Sequence, residues 1–212
     1  MSRTASPQNP ALADPKAQGA KPEYPQEKIE TPGSIAEMRP SADHGEESYE
    51  GLGRLKDRVA LITGSDSGIG RAVAIAYARE GAHVVLSYLP EEEQDAADTA
   101  EWVEKADRKA LRVPGDIRDE RHCAAMVERA FDEFGTLDIL VNNAAFQMTH
   151  ESIEEFSTEE FDRTFKTNVY AMFWLCRAAL PRMEAGSAII ASNEARFVTG
   201  EVYGVTGGQT PF

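Results

Sequence analysis

The 212 residues carry 36 acidic against 22 basic side chains, a formal net charge of −14 at pH 7, and 42% of them are hydrophobic. That balance suits one ordinary domain with its own apolar core, and it argues against a nucleic-acid partner, because neutralising phosphates takes a clustered basic face. No apolar run approaches the ~18 residues that read as a membrane span, and no apolar segment follows a basic start as in a signal peptide, so a soluble cytoplasmic protein without a membrane partner is expected.

Residues 1–52 hold seven of the eleven prolines, spaced by Gln, Glu, Ser and Ala with no sustained hydrophobic period. This composition predicts an extended N-terminal arm. A core follows over 53–191 and a short C-terminal piece over 192–212. In the core, residues 59–63 form an apolar strand that runs into Gly64-x-x-x-Gly68-x-Gly70, then into a helical pattern over 71–80 that stops at Gly81. A second strand spans 83–88, and Pro90 with the acids after it opens a helix to about residue 106, its acids lying where the helix dipole favours them. The strand 110–113 leads to Gly115 and Asp116; Asp119 is the expected N-cap of a helix that Gly135 terminates. Residues 138–145 read as a buried strand ending in the polar turn Asn142-Asn143-Ala144-Ala145. Ser157 starts a long helix that carries Asn168, reaches about Met183 and is ended by Gly186, and 187–191 is a fifth strand. Strand-helix alternation of this kind implies an α/β fold of Rossmann type, a doubly wound parallel sheet. Cys123 and Cys176 lie in helix-like apolar patterns outside any Cys-x-x-Cys or Cys/His spacing, so they read as reduced core residues, and no metal site is expected.

The chemistry sits in the glycine segment. Gly64 allows a sharp turn off the strand, Gly68 leaves room for a pyrophosphate, and Gly70 lets the helix pack closely on the sheet. The helix N-terminus offers free N–H groups and the positive end of the dipole to the phosphates. Glycine-rich turns are common for steric reasons alone; placement between a strand and a helix makes this one a dinucleotide signal, with Gly64, Ser65, Asp66, Ser67, Gly68, Ile69 and Gly70 as binding residues.

With three motifs in order, Thr63-Gly-x-x-x-Gly-Ile-Gly70, Asn142-Asn-Ala-Ala145 and Thr167-Asn168-Val169, the chain from about Leu55 to Ile190 resembles the short-chain dehydrogenase/reductase family. The arm, with its Gly-Glu-Glu-Ser-Tyr segment at 45–49, resembles a bacterial stress-associated oxidoreductase subgroup. The resemblance implies hydride transfer between a nicotinamide dinucleotide and a small alcohol or carbonyl compound. It implies that Asp116 accepts a hydrogen bond from the adenine amino group with Ile117 beside the ring. Asn142 and Asn143 would stabilise the sheet and line the ribose pocket with Ala144 and Ala145, and Asn168 would hold a local helix break and position a water in a proton relay. Cofactor choice rests on the end of the second strand, where Ser87, Tyr88 (counted among the binding residues) and Leu89 supply neither the acid that binds a ribose nor the base that binds a 2′-phosphate. Asp66 in the loop would repel an added phosphate, so NAD is preferred over NADP.

The resemblance fails where the family places its tyrosine and lysine, four residues apart on one helix face, to deliver and tune the proton. No lysine follows Lys166, and the sole Tyr-x-x-x-Lys match, Tyr24 to Lys28, contains Pro25 and precedes the first strand. After Ile190 the sequence resembles the family's extreme C-terminus, as if the catalytic helix and sixth-strand region had been deleted; Ser192 matches that C-terminal piece, not the catalytic serine. Eight residues, 192–199, are too few for a parallel crossover, which takes a dozen or more. Residues 201–205 therefore have two options, antiparallel pairing beside the fifth strand or none, and apolar surface should be exposed around 188–191 and along the long helix. Two functions stay open: an impaired oxidoreductase, or a dinucleotide-binding or nonfunctional deletion product, either of them a candidate homo-oligomer.

Overall fold

The computed structural model of the protein describes residues 42–191 and 202–204. Six strands form one sheet, β1 (Val59–Thr63), β2 (His83–Tyr88), β3 (Ala110–Pro114), β4 (Ile139–Asn142), β5 (Ala188–Ala191) and β6 (Val202–Gly204), in the order β3-β2-β1-β4-β5-β6. The first five are parallel, with registers such as Leu61 opposite Val85 and Leu140. Helices α1 (Gly68–Arg79), α2 (Glu93–Lys105), α3 (Glu120–Phe134), α4 (Thr158–Phe165) and α5 (Ala171–Ala179) connect them. This is the doubly wound α/β arrangement expected of the sequence.

Alternate residues of each central strand serve opposite layers, as the two-residue period of a strand requires. Val59 and Leu61 face a core with Val85, Met126, Leu140 and Leu175, whereas Ala60 and Ile62 face a second core with Ala74, Val84, Leu86 and Val103. All five residues of β1 are buried, which is why that strand reads as a continuous apolar run instead of an alternation. Each of its large side chains contributes about 1.5–3 kcal/mol by leaving water.

Several local readings meet their structures closely. The Asp119 side chain accepts from the Arg121 N–H, and Gly135 adopts the left-handed conformation at the C-cap of α3. Two boundaries differ. The first helix begins at Gly68 instead of residue 71, so Gly68 and Gly70 belong to its first turn. The long helix ends at Ala179, four residues before Met183, because Pro181 cannot continue it. Between α4 and α5 the helix widens into a π-helical turn, Lys166–Tyr170, which contains Asn168 and is the expected local break.

Of the two options for the last strand, the antiparallel one is observed: Ile189 pairs with Tyr203 and Ile190 with Val202. Residues 192–201, which make the connection, lie outside the described residues, as do Ser192 and the Tyr24 to Lys28 match. Exposed apolar groups do run along the long helix, where Phe161, Phe165, Val169 and Phe173 are between 41% and 57% exposed. Among the described residues no helix is long and apolar enough to cross a membrane, and no cluster of three or more His, Cys, Asp or Glu could hold a metal ion.

From residue 42 onward the end of the arm is tied to α1 by hydrogen bonds, while most of its residues stay exposed. Tyr49, Leu52 and Arg54 all hydrogen-bond the carboxylate of Glu80 at the C-cap of α1.

Candidate dinucleotide site

The C-terminal ends of β1, β2, β3 and β4 open into a cleft of about 480 Å³, which is the size and position at which parallel α/β sheets bind ligands. Its walls include Gly64, Asp66, Ser67, Gly68, Ile69, Tyr88, Asp116, Ile117, Asn143, Ala144 and Ala145, so eleven residues singled out in the sequence converge there. Four others do not reach it. Ser65 is buried beneath, its N–H and hydroxyl donating to Ser87 O at 3.1 and 3.3 Å. Gly70 serves packing, since a Cβ there would stand 1.9 Å from Gly64 O and 2.6 Å from Asn143 Nδ2.

Asn142 corrects the expectation that both asparagines line the pocket. It is the last residue of β4 and its amide points at Cys176 Sγ, 3.8 Å away; the strand's alternation sends adjacent side chains to opposite sides. Asn143 is the one on the wall, and its Nδ2 donates to Thr63 O at 2.9 Å and Gly64 O at 3.0 Å, tying the β4 turn to the glycine loop. Asn168 also stands off the wall. Its Oδ1 accepts from Phe146 N at 2.8 Å and its Nδ2 donates to Phe146 O at 2.9 Å, so the side chain braces the loop after β4.

The phosphate-facing part is the start of α1. Gly64 has φ +60, which a Cβ would strain. A Cβ on Gly68 would meet nothing within 4 Å, so the backbone borders open space. Ser67, the N-cap, makes no side-chain cap, and the first turn holds no acid. The N–H groups there are thus left to an anion together with the positive dipole end. On the opposite wall Arg163 stacks on the Phe146 ring at 3.8 Å, and its Nε is buried without a hydrogen-bond partner. An orphaned donor and an uncapped helix start fit a polyanionic dinucleotide.

Charges divide the cleft. Burial raises the Asp66 carboxyl above its usual range, partly opposed by a hydrogen bond from Ser67, and burial together with the nearby Asp66 charge raises Glu92. Asp116 goes the other way, held low by the Arg118 guanidinium, which donates to it at 2.5–3.0 Å. Burial and the Glu93 carboxylate push the Tyr88 phenol up to about 12, so it is a neutral hydroxyl donating to Glu93. Ser87, Leu89 and Gly115, and Thr167 from the third motif, also line the wall; Glu92, Arg118, Phe146 and Arg163 complete it and were not singled out in the sequence. Arg163 stands four residues before Thr167, one helical turn along the segment that carries the third motif, and that spacing was the available signal.

The chain matches the short chain dehydrogenase family model over residues 58–204. It is 48% identical over 182 residues to an uncharacterized oxidoreductase of Escherichia coli, YghA, covering 86% of this chain and 62% of that protein. It is likewise 48% identical over 159 residues to general stress protein 39 of Bacillus subtilis, covering 75% of this chain and 55% of that one. Among solved structures, a short chain dehydrogenase of Burkholderia cenocepacia in complex with NADP superposes with a TM-score of 0.63 at 32% identity, over 65% of this chain and 56% of that one. A blue fluorescent protein from a metagenomic library, in complex with NADPH, gives 0.61 at 28% identity, over 69% and 61%. The chain therefore spans about three fifths of the length of the relatives it matches. With a family match over more than half its residues, this protein belongs to the short-chain dehydrogenase family.

Proposed function

We propose that this chain binds a nicotinamide dinucleotide in the cleft at the start of α1 and, in its described form, does not complete the hydride-transfer chemistry of an alcohol or carbonyl oxidoreductase. The observation that carries the binding reading is the uncapped first turn of α1 beside the open face of Gly68. Gly64, Ser67, Gly68 and Ile69 would hold the pyrophosphate, Asp116 and Ile117 the adenine, and Asn143, Ala144 and Ala145 the ribose side. When bound, the nicotinamide supplies the hydride acceptor or donor. What the protein must add is a proton donor and acceptor of matched pKa.

That partner is what the sequence lacks. No lysine follows Lys166, so no Tyr-x-x-x-Lys pair can be drawn from the residues after it; Lys166 and Tyr170 stand four apart but in the reverse order, at the two ends of the π-helical turn. The Asn168 side chain is already engaged by the Phe146 backbone, a bracing role that needs no substrate. A deletion product without selected turnover is the second reading, favoured by the three-residue antiparallel β6.

Between the two cofactors, the buried carboxylate of Asp66 and the half-buried one of Glu92 on the cleft wall favour NAD, since an added 2′-phosphate would meet both. The neighbours named with NADP and NADPH make this the finer point at issue. A homo-oligomer belongs to the same reading, supported by the exposed apolar groups from Phe161 to Phe173.

Thermal unfolding with NADH and NADPH tests the proposal. A ligand at 100 times its Kd stabilises by about 2.7 kcal/mol, and the larger upward shift is expected with NADH. A folded sample whose midpoint moves with neither would refute the binding reading.

A further inference from the structure

The segment at 45–49 that stood out in the sequence has no part in the cleft, yet it spans α1 from end to end. At the C-terminal end, Glu80 is 4% exposed and its carboxylate takes the Tyr49 hydroxyl at 2.5 Å and the N–H groups of Leu52 and Arg54 at 3.0 and 2.9 Å. The Arg79 guanidinium donates to the carbonyls of Glu46 and Tyr49. Gly51 lies so near that a Cβ on it would be 1.9 Å from Arg79 O. At the N-terminal end the same segment reaches Arg71, in the first turn of α1 and only 7% exposed, whose Nε donates to Glu46 at 3.1 Å.

Contacts continue from there to the glycine loop. Arg71 Nη1 stands 3.5 Å from the Thr99 hydroxyl on α2, and that hydroxyl lies 3.0 Å from Asp66 O and 3.0 Å from Asp95 O. Glu46 is itself fixed, its Oε2 accepting the His44 N–H at 2.7 Å and its Oε1 lying 3.0 Å from His44 Nδ1. A carboxylate on the arm is thus joined through one buried guanidinium and one hydroxyl to the backbone that borders the cleft.

We propose that residues 44–54 form an intramolecular clamp in which Glu46 is a positioning residue, acting through Arg71 to hold the first turn of α1 and the Asp66 loop in their binding geometry. For its effect on a ligand this rests on the dinucleotide reading above. The physical reason is charge. Neutralising Glu46 withdraws a counter-charge from a guanidinium that is almost fully buried, a strongly unfavourable state. It is relieved by letting water reach Arg71, and the element that must open for this is the first helical turn, where local unfolding starts most readily.

Hydrogen exchange of the full chain, without ligand, tests the clamp at two amides. Arg71 N–H is bonded to Ser67 O at 3.0 Å and Ser65 N–H to Ser87 O at 3.1 Å. In Glu46→Gln both exchange about tenfold faster than in the unmodified protein, the scale of one charge-assisted hydrogen bond, while amides inside β1 and β2 keep their protection. The exposed neighbour changed as Glu47→Gln leaves all of them unaltered. NADH affinity of Glu46→Gln falls by a similar factor of about ten. Unchanged exchange at Arg71 and Ser65 would overturn the proposal. If the unmodified chain binds no NADH while Glu46→Gln still releases these two amides, the dinucleotide reading fails and the clamp stands. Should Glu46→Gln lose its circular dichroism, Tyr49→Phe removes one anchor and keeps the carboxylate; faster exchange at the same two amides supports the clamp, and none refutes it.

Discussion

On the β2-β1-β4 side of the sheet every residue of β1 and β4 is buried and cores fill both faces. On the β5 side the described edge is closed by the three residues of β6, Ile190 is only half-buried, and Phe161 to Phe173 meet solvent. A Rossmann half needs strands, covering helices and a glycine turn, all of them supplied by 58–142. By the resemblance, the proton-handling half would be a helix and strands packed against β5 and the long helix. The contrast locates the proposed separation: the candidate binding cleft lies on the fully packed side of the sheet and the exposed apolar face on the other.

The largest effect expected from that contrast is on turnover. In an alcohol and aldehyde panel followed by nicotinamide absorbance, the full chain should fall short of an intact family member by at least the ~10²–10⁴-fold that positioned acid–base groups contribute. Cofactor-dependent turnover within about tenfold of the intact relative would show that the chemistry does not need a Tyr-x-x-x-Lys pair. Next, Gly70→Val drives side-chain carbon into Gly64 O and the Asn143 amide. Overpacking of this kind costs about 1–3 kcal/mol, and NADH affinity measured by titration should drop about tenfold to 100-fold, whereas a neutral result would break the assignment of the cradle.

Asp66→Asn sharpens the comparison within the cleft. Burial raises the Asp66 pKa above its ordinary 3.8, so its favourable contribution to folding is complete below that value and is lost as pH rises through the folded-state value. Near neutral pH the amide should therefore melt a few degrees higher than the carboxylate, and the ratio of NADPH to NADH affinity should rise about tenfold as one repulsive charge is removed.

The smallest effect concerns the arm. Glu80 is held below the usual carboxylate range chiefly by the Tyr49 hydroxyl; for Glu46, burial pushes upward but backbone and His44 hydrogen bonds outweigh it. Depressed carboxylates stabilise above their ordinary value, here 4.5, and lose that contribution as pH falls through the folded-state values. Limited proteolysis should cut within 42–54 more readily below that range than at neutral pH, and equal cutting at both would argue that the arm is held by packing alone.

Much of this was legible in the sequence wherever the cause is local. The glycine turn follows from one strand and one helix start, both ends of β2 are marked by Gly81 and Pro90, and Asp119 and Gly135 frame α3 by capping chemistry. For β6, chain length excluded a parallel crossover but left antiparallel pairing and no pairing both open; the structure shows the antiparallel one. What stayed hidden depends on contacts between distant residues. Glu92 and Arg163 reach the cleft only when their helices pack, and the bonds from Tyr49, Leu52 and Arg54 to Glu80 cross 26 to 31 positions with no repeating pattern to announce them. Asn142 and Asn143 were paired in the reading because they are neighbours in sequence; the strand separates them, sending one to Cys176 and the other to the glycine loop.

Isothermal titration of the full chain with NADH tests the central claim most directly. The account predicts saturable binding at one site per chain, with no turnover when an alcohol or aldehyde is added to the loaded protein. A folded sample that gives no binding heat at any accessible temperature and whose melting midpoint NADH does not move would contradict it.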